Sequence, residues 1–468
     1  MAKLIVVLIL LLAAAGSAWH FAGRSDPPAI EIVKPERLIG PSGELEVTIT
    51  TPGGELTQLA VVLQQGEARW PVFNLPGSEP ARLTKVDGNR LQLYRPIGKR
   101  DIPELEAGPV TVTVTATRAV LFGLREISSS AAHEVEVRLV PPQVGVMSQF
   151  HYINHGGSEM VVYRVRPADV DSGVLVGNYE YPGYPATGAG IEGADPGLRV
   201  AFFALLWDQD VNTPISLYAR DEVGNESRGS FDYRVFPKSF RKSQINLNDR
   251  FLQKVVPEIL YNSTELKVDD ASDLLGSYLT INRELRRQNN ARITALASST
   301  APEVLWQGAF KQLINTAVEA GFADQRSYFY DGKEVDQQVH LGFDLASTTN
   351  APVLAANSGQ VLYAGWLGIY GNCVIVDHGM GLQSLYAHLS VIDVGAGDVV
   401  ESGGRLGLSG ETGLAGGDHL HFTMLMNGHA ITPIDWWSGQ WIEDRVLRKL
   451  RQAAPGSGDE PTADGSIR

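Results

Sequence analysis

Three short clusters in the last third of this chain carry residue types able to do metal or acid–base chemistry. They are His340-Leu341-Gly342-Phe343-Asp344, Tyr386-Ala387-His388 and His419-Leu420-His421. Imidazoles and carboxylates bind divalent metals, and an unligated imidazole moves protons near neutral pH. If 419–421 is a strand, residues two apart project to one face with Cα atoms about 6.6 Å apart. Imidazoles 419 and 421 then converge on one small volume, while Leu420 and Phe422 enter the core. Taken alone the pair is weak evidence, because two histidines on an exposed strand face would look the same. His340 and Asp344 would stand about 13 Å apart on a regular strand, too far to share one ion at about 2.0–2.2 Å. The chain must bend or bulge between them, and Gly342 is the residue type that permits it. A helical turn would also join i and i+4, but Gly342 and the lack of a helical apolar stripe disfavour it.

The remaining candidates read as structural. His133, His151 and His155 have no carboxylate or cysteine partner at a convincing spacing. His378 lies in Asp377-His378-Gly379, and His429 follows Asn427-Gly428 in an expected exposed turn. Tyr386 could donate a hydrogen bond to the site, yet a strand tyrosine beside a core is more often packing. Cys373 is the only cysteine, so no intrachain disulfide forms and no multi-thiolate metal site exists. Its run, Cys373-Val374-Ile375-Val376, looks like a buried strand.

The three clusters, in this order and with these intervals and glycines, resemble the M23 family of zinc metallopeptidases, the lysostaphin and LytM type. The text between them agrees: Ala355-Ala356-Asn357-Ser358-Gly359, Tyr370-Gly371-Asn372, Gly395-Ala396-Gly397-Asp398 and Gly410-Glu411-Thr412-Gly413. The resemblance spans roughly residues 306–437. It implies Zn2+ held by His340, Asp344 and His421, with His388 and His419 as unligated catalytic histidines. Three protein ligands leave a fourth position for water, as in catalytic zinc sites. Arg326, fourteen residues before His340, fits the family's strand leading into the site. Asp418 departs from the family, which usually has proline there; the expected effect is on the basicity of His419, with no ligand lost.

The elements that must position these residues are mainly β, in several domains. Residues 28–140 and 143–237 read as two β-sandwich units of immunoglobulin-like type. Leu45–Thr50, Val110–Thr115 and Glu134–Leu139 alternate apolar and polar residues, and turn signals separate the runs. Pro141-Pro142 marks the boundary. The second unit ends in Asp221-Glu222-Val223-Gly224-Asn225, which resembles the tight turn before the last strand of bacterial immunoglobulin-like domains. Residues 238–304 form a short helical segment. One helix starts near Asn248 or Asp249. A second is capped by Asp270 or Ser272 and buries Leu274, Tyr278, Ile281 and Leu285, with Arg283, Arg286 and Arg287 on or near its polar side. No chemistry is expected from it. The peptidase domain, a LytM-type β-sheet, occupies 305–445, and a tail from 452 to 468 should be disordered.

At the start, Met1-Ala2-Lys3 precedes an apolar run from Leu4 to Ala15 and small residues at 16–18. Residues 1–22 therefore read as a signal peptide or a retained membrane anchor, placing the rest in the periplasm or cell envelope, with the inner membrane as anchor site. A formal net charge of −14 argues against nucleic-acid binding. The family resemblance implies an endopeptidase acting on the peptide bridges of peptidoglycan, with D-Ala–diaminopimelate or glycine bonds as candidates. Envelope proteins are candidate partners for the N-terminal β units. The alternative is a non-catalytic regulator of other cell-wall hydrolases.

Overall fold

Alternating apolar residues in the first 140 positions build two facing sheets. The computed structural model describes residues 2–52, 55–77 and 82–454, in two compact units. The first unit comprises 1–142 with 220–226, the second 143–219 with 227–468. In the first, a helix spans Ala2–Ala22, and its stretch Lys3–Ala22 is long and apolar enough to cross a membrane. A four-stranded sheet, which includes Gly43–Thr50, and a five-stranded sheet, which includes Gly108–Val120, follow. Leu45, Val47 and Ile49 from one sheet and Val110, Val112 and Val114 from the other are fully or almost fully buried in one core. Within this unit, the Asp221 carboxylate accepts from the backbone N–H of Val223 and Asn225, at 3.1 and 2.8 Å, and Gly224 takes φ +83°. This closes the expected Asp…Gly-Asn turn.

In the second unit the residue 143–237 strands and the C-terminal sheet share one hydrophobic core. It runs from Tyr163 and Phe202 through Trp436 and Trp306 to Phe422 and Met424. Polar groups cross it as well. Trp436 Nε1 donates to Ser158 Oγ at 3.0 Å, and Lys449 Nζ donates to Glu159 Oε1 at 2.9 Å and to the Met160 carbonyl at 2.8 Å. Glu159 and Lys449 are both buried. The helix Arg448–Ala453 is thus pinned to the strand Ser158–Arg166. Of the tail expected from 452, residues 455–468 lie outside the described residues.

Asp435 adds a titratable group to this junction. Its Oδ1 accepts from Asn154 Nδ2 at 3.0 Å, whereas buried Oδ2 has no partner. Burial lifts the carboxyl from 3.8 to about 6 despite that hydrogen bond. The folded protein therefore holds this proton more tightly than the unfolded chain. Its stabilising contribution is full below pH 3.8, fades as pH rises and is lost above about 6. Asp435→Asn is expected to gain stability over wild type across that window, by up to about 3 kcal/mol at 1.36 kcal/mol per pH unit. Denaturant unfolding at pH 4 and pH 8 checks it; an equal difference at both would disprove it.

The helical segment differs in detail from expectation. Asn248 caps the helix Asp249–Asn262, accepting from Phe251 N. The next helix, Leu274–Thr280, is capped by Asp273 rather than Asp270 or Ser272. Asp270 instead accepts from Ser272 in the preceding turn, so its carboxylate is already engaged. A π-helical turn at Ile281–Leu285 follows before α-helix resumes at Arg286–Leu296. Tyr278, Ile281 and Leu285 are buried against Val255, Ile259 and Tyr328, as the apolar stripe predicts.

The C-terminal sheet has eight strands, with Phe343–Ala346, Leu420–Met426 and Leu382–Leu389 as consecutive antiparallel neighbours. Beside it, Lys242–Asn246, Asp324–Tyr330 and Lys333–His340 form a three-stranded sheet. The mainly β architecture read from the sequence is borne out.

Candidate metal centre

The strand Lys333–His340 ends at His340, and the next strand begins at Phe343, so the chain bends at Leu341-Gly342. The bend is where spacing required it, but Gly342 serves for a reason other than backbone freedom. A Cβ built there would lie 2.5 Å from Thr423 Oγ1 and 2.6 Å from the His421 ring. The glycine lets the turning chain press directly against a histidine, a contact any side chain would block.

Register does the rest. Asp344 pairs directly with His421 across neighbouring strands, and His421 pairs on its other side with Ala387, next to His388. His340 Nε2 lies 2.8 Å from Asp344 Oδ1 and 3.0 Å from His421 Nδ1, and His421 Nδ1 lies 3.0 Å from Asp344 Oδ1. All three residues are buried.

Outer partners set the tautomers. His340 Nδ1–H donates to the Gly321 carbonyl at 3.0 Å, leaving the Nε2 lone pair facing inward. Thr423 Oγ1 donates to the Leu341 carbonyl at 2.8 Å and accepts from His421 Nε2–H at 3.1 Å, leaving the Nδ1 lone pair facing inward. Two imidazole lone pairs and a carboxylate oxygen thus face one another at mutual distances of 2.8–3.0 Å. Such an arrangement is repulsive unless a cation or a proton sits among them, and two nitrogens with one carboxylate suit a divalent transition metal. Arg326 Nη2 holds the other carboxylate oxygen, Asp344 Oδ2, at 3.2 Å. Burial works against the Asp344 charge, but His340, His419 and His421 outweigh it and hold its carboxyl well below 3.8. Burial pushes the His421 imidazole down to about 4, which keeps it neutral as a ligand requires.

His388 and His419 flank this triad. Their ring centroids are 4.9 Å apart, and His388 lies 5.8 Å from His421. Each donates Nδ1–H to a backbone carbonyl, His388 to Thr412 at 2.7 Å and His419 to Gly417 at 2.8 Å. That leaves His388 Nε2 open for proton transfer, while His419 Nε2 stands 3.5 Å from Asp344 Oδ1. His388 takes φ +62°, a conformation costly for a side-chain-bearing residue and typical of functional positions. Burial, then the charges of His419 and His421, holds its pKa well below 6.5. For His419, burial opposes the charge, but the Asp344 carboxylate beside its ring raises the pKa.

The other singled-out residues lie elsewhere. Buried His378 bonds Ser358 O and Ser384 Oγ, and Tyr386 Oη accepts from Ala356 N, so both serve the sheet. His429 is not an exposed turn residue: it opens the strand His429–Ile431, half-buried with its ring against Tyr179. Asp418 accepts from Asn350 N and Ser409 Oγ, which ties down a loop instead of contacting the His419 ring. His151 bonds Ser148 and the Asp232 carbonyl, away from any metal-like cluster.

The largest surprise is the helical segment, in which no chemistry was expected. It supplies one wall of a cleft of about 840 Å³ whose floor includes the triad and both flanking histidines. Phe251, Lys254, Tyr278, Asn282 and Arg286 line it. Lys254 reaches across to Glu411 at 2.7 Å. The only sequence signal was the basic residues around an otherwise ordinary apolar stripe.

Comparisons with known proteins match the stretch of chain that carries these residues. Residues 338–433 match the model of peptidase family M23. DD-carboxypeptidase/endopeptidase Mpg of Neisseria meningitidis is 37% identical over 97 residues, 21% of this chain and 22% of that protein. Peptidoglycan DD-endopeptidase ShyA of Vibrio cholerae is 37% identical over 92 residues, 20% of this chain and 21% of that protein. The crystallised catalytic domain of lysostaphin from Staphylococcus simulans is 28% identical, covering 28% of this chain and 98% of that one, with a TM-score of 0.25. The C-terminal part of the chain is therefore a peptidase family M23 domain. The similarity spans only about a fifth of each curated relative's length.

Proposed function

We propose that this protein is an exported zinc endopeptidase that hydrolyses peptide cross-links of peptidoglycan. The observation carrying this reading is the convergence of His340 Nε2, Asp344 Oδ1 and His421 Nδ1, as lone-pair donors, on one point at the floor of an open cleft. Zinc held there by three protein ligands would supply Lewis acidity, polarising a carbonyl and making water nucleophilic near neutral pH. His388 Nε2 and His419 Nε2 would take up and return the proton, and a protonated imidazole would stabilise charge developing on the carbonyl oxygen. Arg326 and Thr423 would keep Asp344 and His421 aimed. The substrate class is supported by the names of the relatives from Neisseria and Vibrio. The apolar helix Ala2–Ala22 supports export, with inner-membrane anchoring as part of the same proposal. The upstream β strands are proposed to contact wall or envelope partners. A non-catalytic regulator loses support because all five site residues converge.

The test is digestion of purified peptidoglycan by the full-length protein, with mass analysis of the fragments. Zinc-loaded protein is expected to release cleaved cross-link peptides, and chelator-stripped protein to release none until zinc is restored. Release that is unaffected by stripping would overturn the metal assignment; no release at all would overturn the enzyme.

A further inference from the structure

A second cavity, of about 980 Å³, lies beside the first, and both are lined by His340, His421, Tyr370, Arg326 and Arg286. The metal centre therefore sits where two recesses meet, with room for substrate on either side. Two cationic side chains share that junction, and they are not equivalent. Arg326 is committed to Asp324 and Asp344. Arg286 is half-buried, and among the described residues no carboxylate lies within ion-pair distance of it.

Its geometry is nevertheless fixed. Nε donates to the Asn282 carbonyl at 3.1 Å and Nη2 to Asn282 Oδ1 at 2.6 Å. Asn282 is itself fully buried, donating Nδ2 to Asp336 Oδ2 at 2.9 Å, while Arg283 balances the Asp336 charge. One edge of the Arg286 guanidinium is thus clamped by neutral acceptors, and no carboxylate among the described residues pairs with it directly. The π-helical turn Ile281–Leu285 carries this arrangement, and such turns recur at functional sites. A half-buried, oriented guanidinium with no direct carboxylate partner is a receptor for a carboxylate.

We infer that Arg286 is a specificity-determining residue that binds a free carboxylate of the substrate next to the scissile amide. This rests on the endopeptidase reading and narrows it. A cross-link whose amine-donating residue keeps a carboxylate, as diaminopimelate does, is selected over a glycine bridge, which offers none there. Recognition of the carboxylate places the amide over the triad and gives Arg286 a direct carboxylate partner in one contact.

The experiment compares full-length zinc-loaded protein on one cross-linked peptide with that carboxylate free and with it amidated. Wild type is expected to favour the free carboxylate by about 100-fold in kcat/KM, the scale of losing one partner of a buried charge pair. Arg286→Gln is expected to bring the preference below about threefold, and Arg286→Lys to leave an intermediate value because the fork is gone. A wild type that cleaves both peptides equally, or an Arg286→Gln variant with full preference and native thermal stability, overturns the inference. If wild type cleaves neither, the endopeptidase reading fails instead. Calorimetric binding of the two peptides then decides the receptor: selective binding lost in Arg286→Gln supports it, and equal binding refutes it.

Discussion

His421→Ala is expected to lose bound metal and turnover together, with kcat falling by at least about 10³-fold. The size follows from comparison with weaker lesions: removing only an outer partner of a metal ligand costs about 10–100-fold. His421 supplies one of three inward lone pairs, and the two that remain cannot close a three-ligand site. The informative contrast is His388→Ala. His388 Nε2 is outside the triad, so that variant should retain its metal while kcat drops about 10²–10⁴-fold, the range for a lost proton carrier. Elemental analysis beside turnover separates the roles. If His388→Ala also comes out metal-free, the division into ligands and proton carriers is wrong.

The second large effect concerns folding. A fragment starting at Pro302 contains every proposed ligand, yet it is expected to be insoluble or unfolded. It would leave Lys449 without Glu159, and breaking a buried pair costs about 3–5 kcal/mol. It would also strip Trp436 of Phe202 and Ser158, a large aromatic worth about 3 kcal/mol or more in a core. Set against a total stability of about 5–15 kcal/mol, these losses leave little. A fragment from Gln143 keeps all of these contacts and should unfold cooperatively. Circular dichroism melts of both fragments settle the matter: a well-folded 302–454 fragment would show that the shared core is dispensable.

Much of the site was legible because it is local. His419 and His421 share a face by strand periodicity, and the bend between His340 and Asp344 followed from rise per residue alone. The reason for Gly342 was not legible, since the atoms that need its missing side chain belong to His421 and Thr423, some eighty positions away. The N-terminal alternation was equally readable, because period two reports burial directly. What sequence could not convey was which elements pack together. Arg286 looked like one polar-face arginine among three. Arg283 turned out to serve Asp336 and Arg287 to serve Glu284, and only the tertiary arrangement set Arg286 apart. The shared core was invisible for the same reason, as the apolar residues of 143–237 look like those of any self-contained sandwich.

The pairing of Glu159 with Lys449 also has a meaning in time. The two residues are 290 positions apart, and the later one belongs to the helix Arg448–Ala453. At about 5–20 residues per second, a ribosome takes roughly 15–60 s to travel between them. Throughout that interval the earlier strand holds an acid with no base to meet it, and the core lacks its central tryptophan. Completion of this core therefore waits until the helix Arg448–Ala453 has been made, however early its strands emerge.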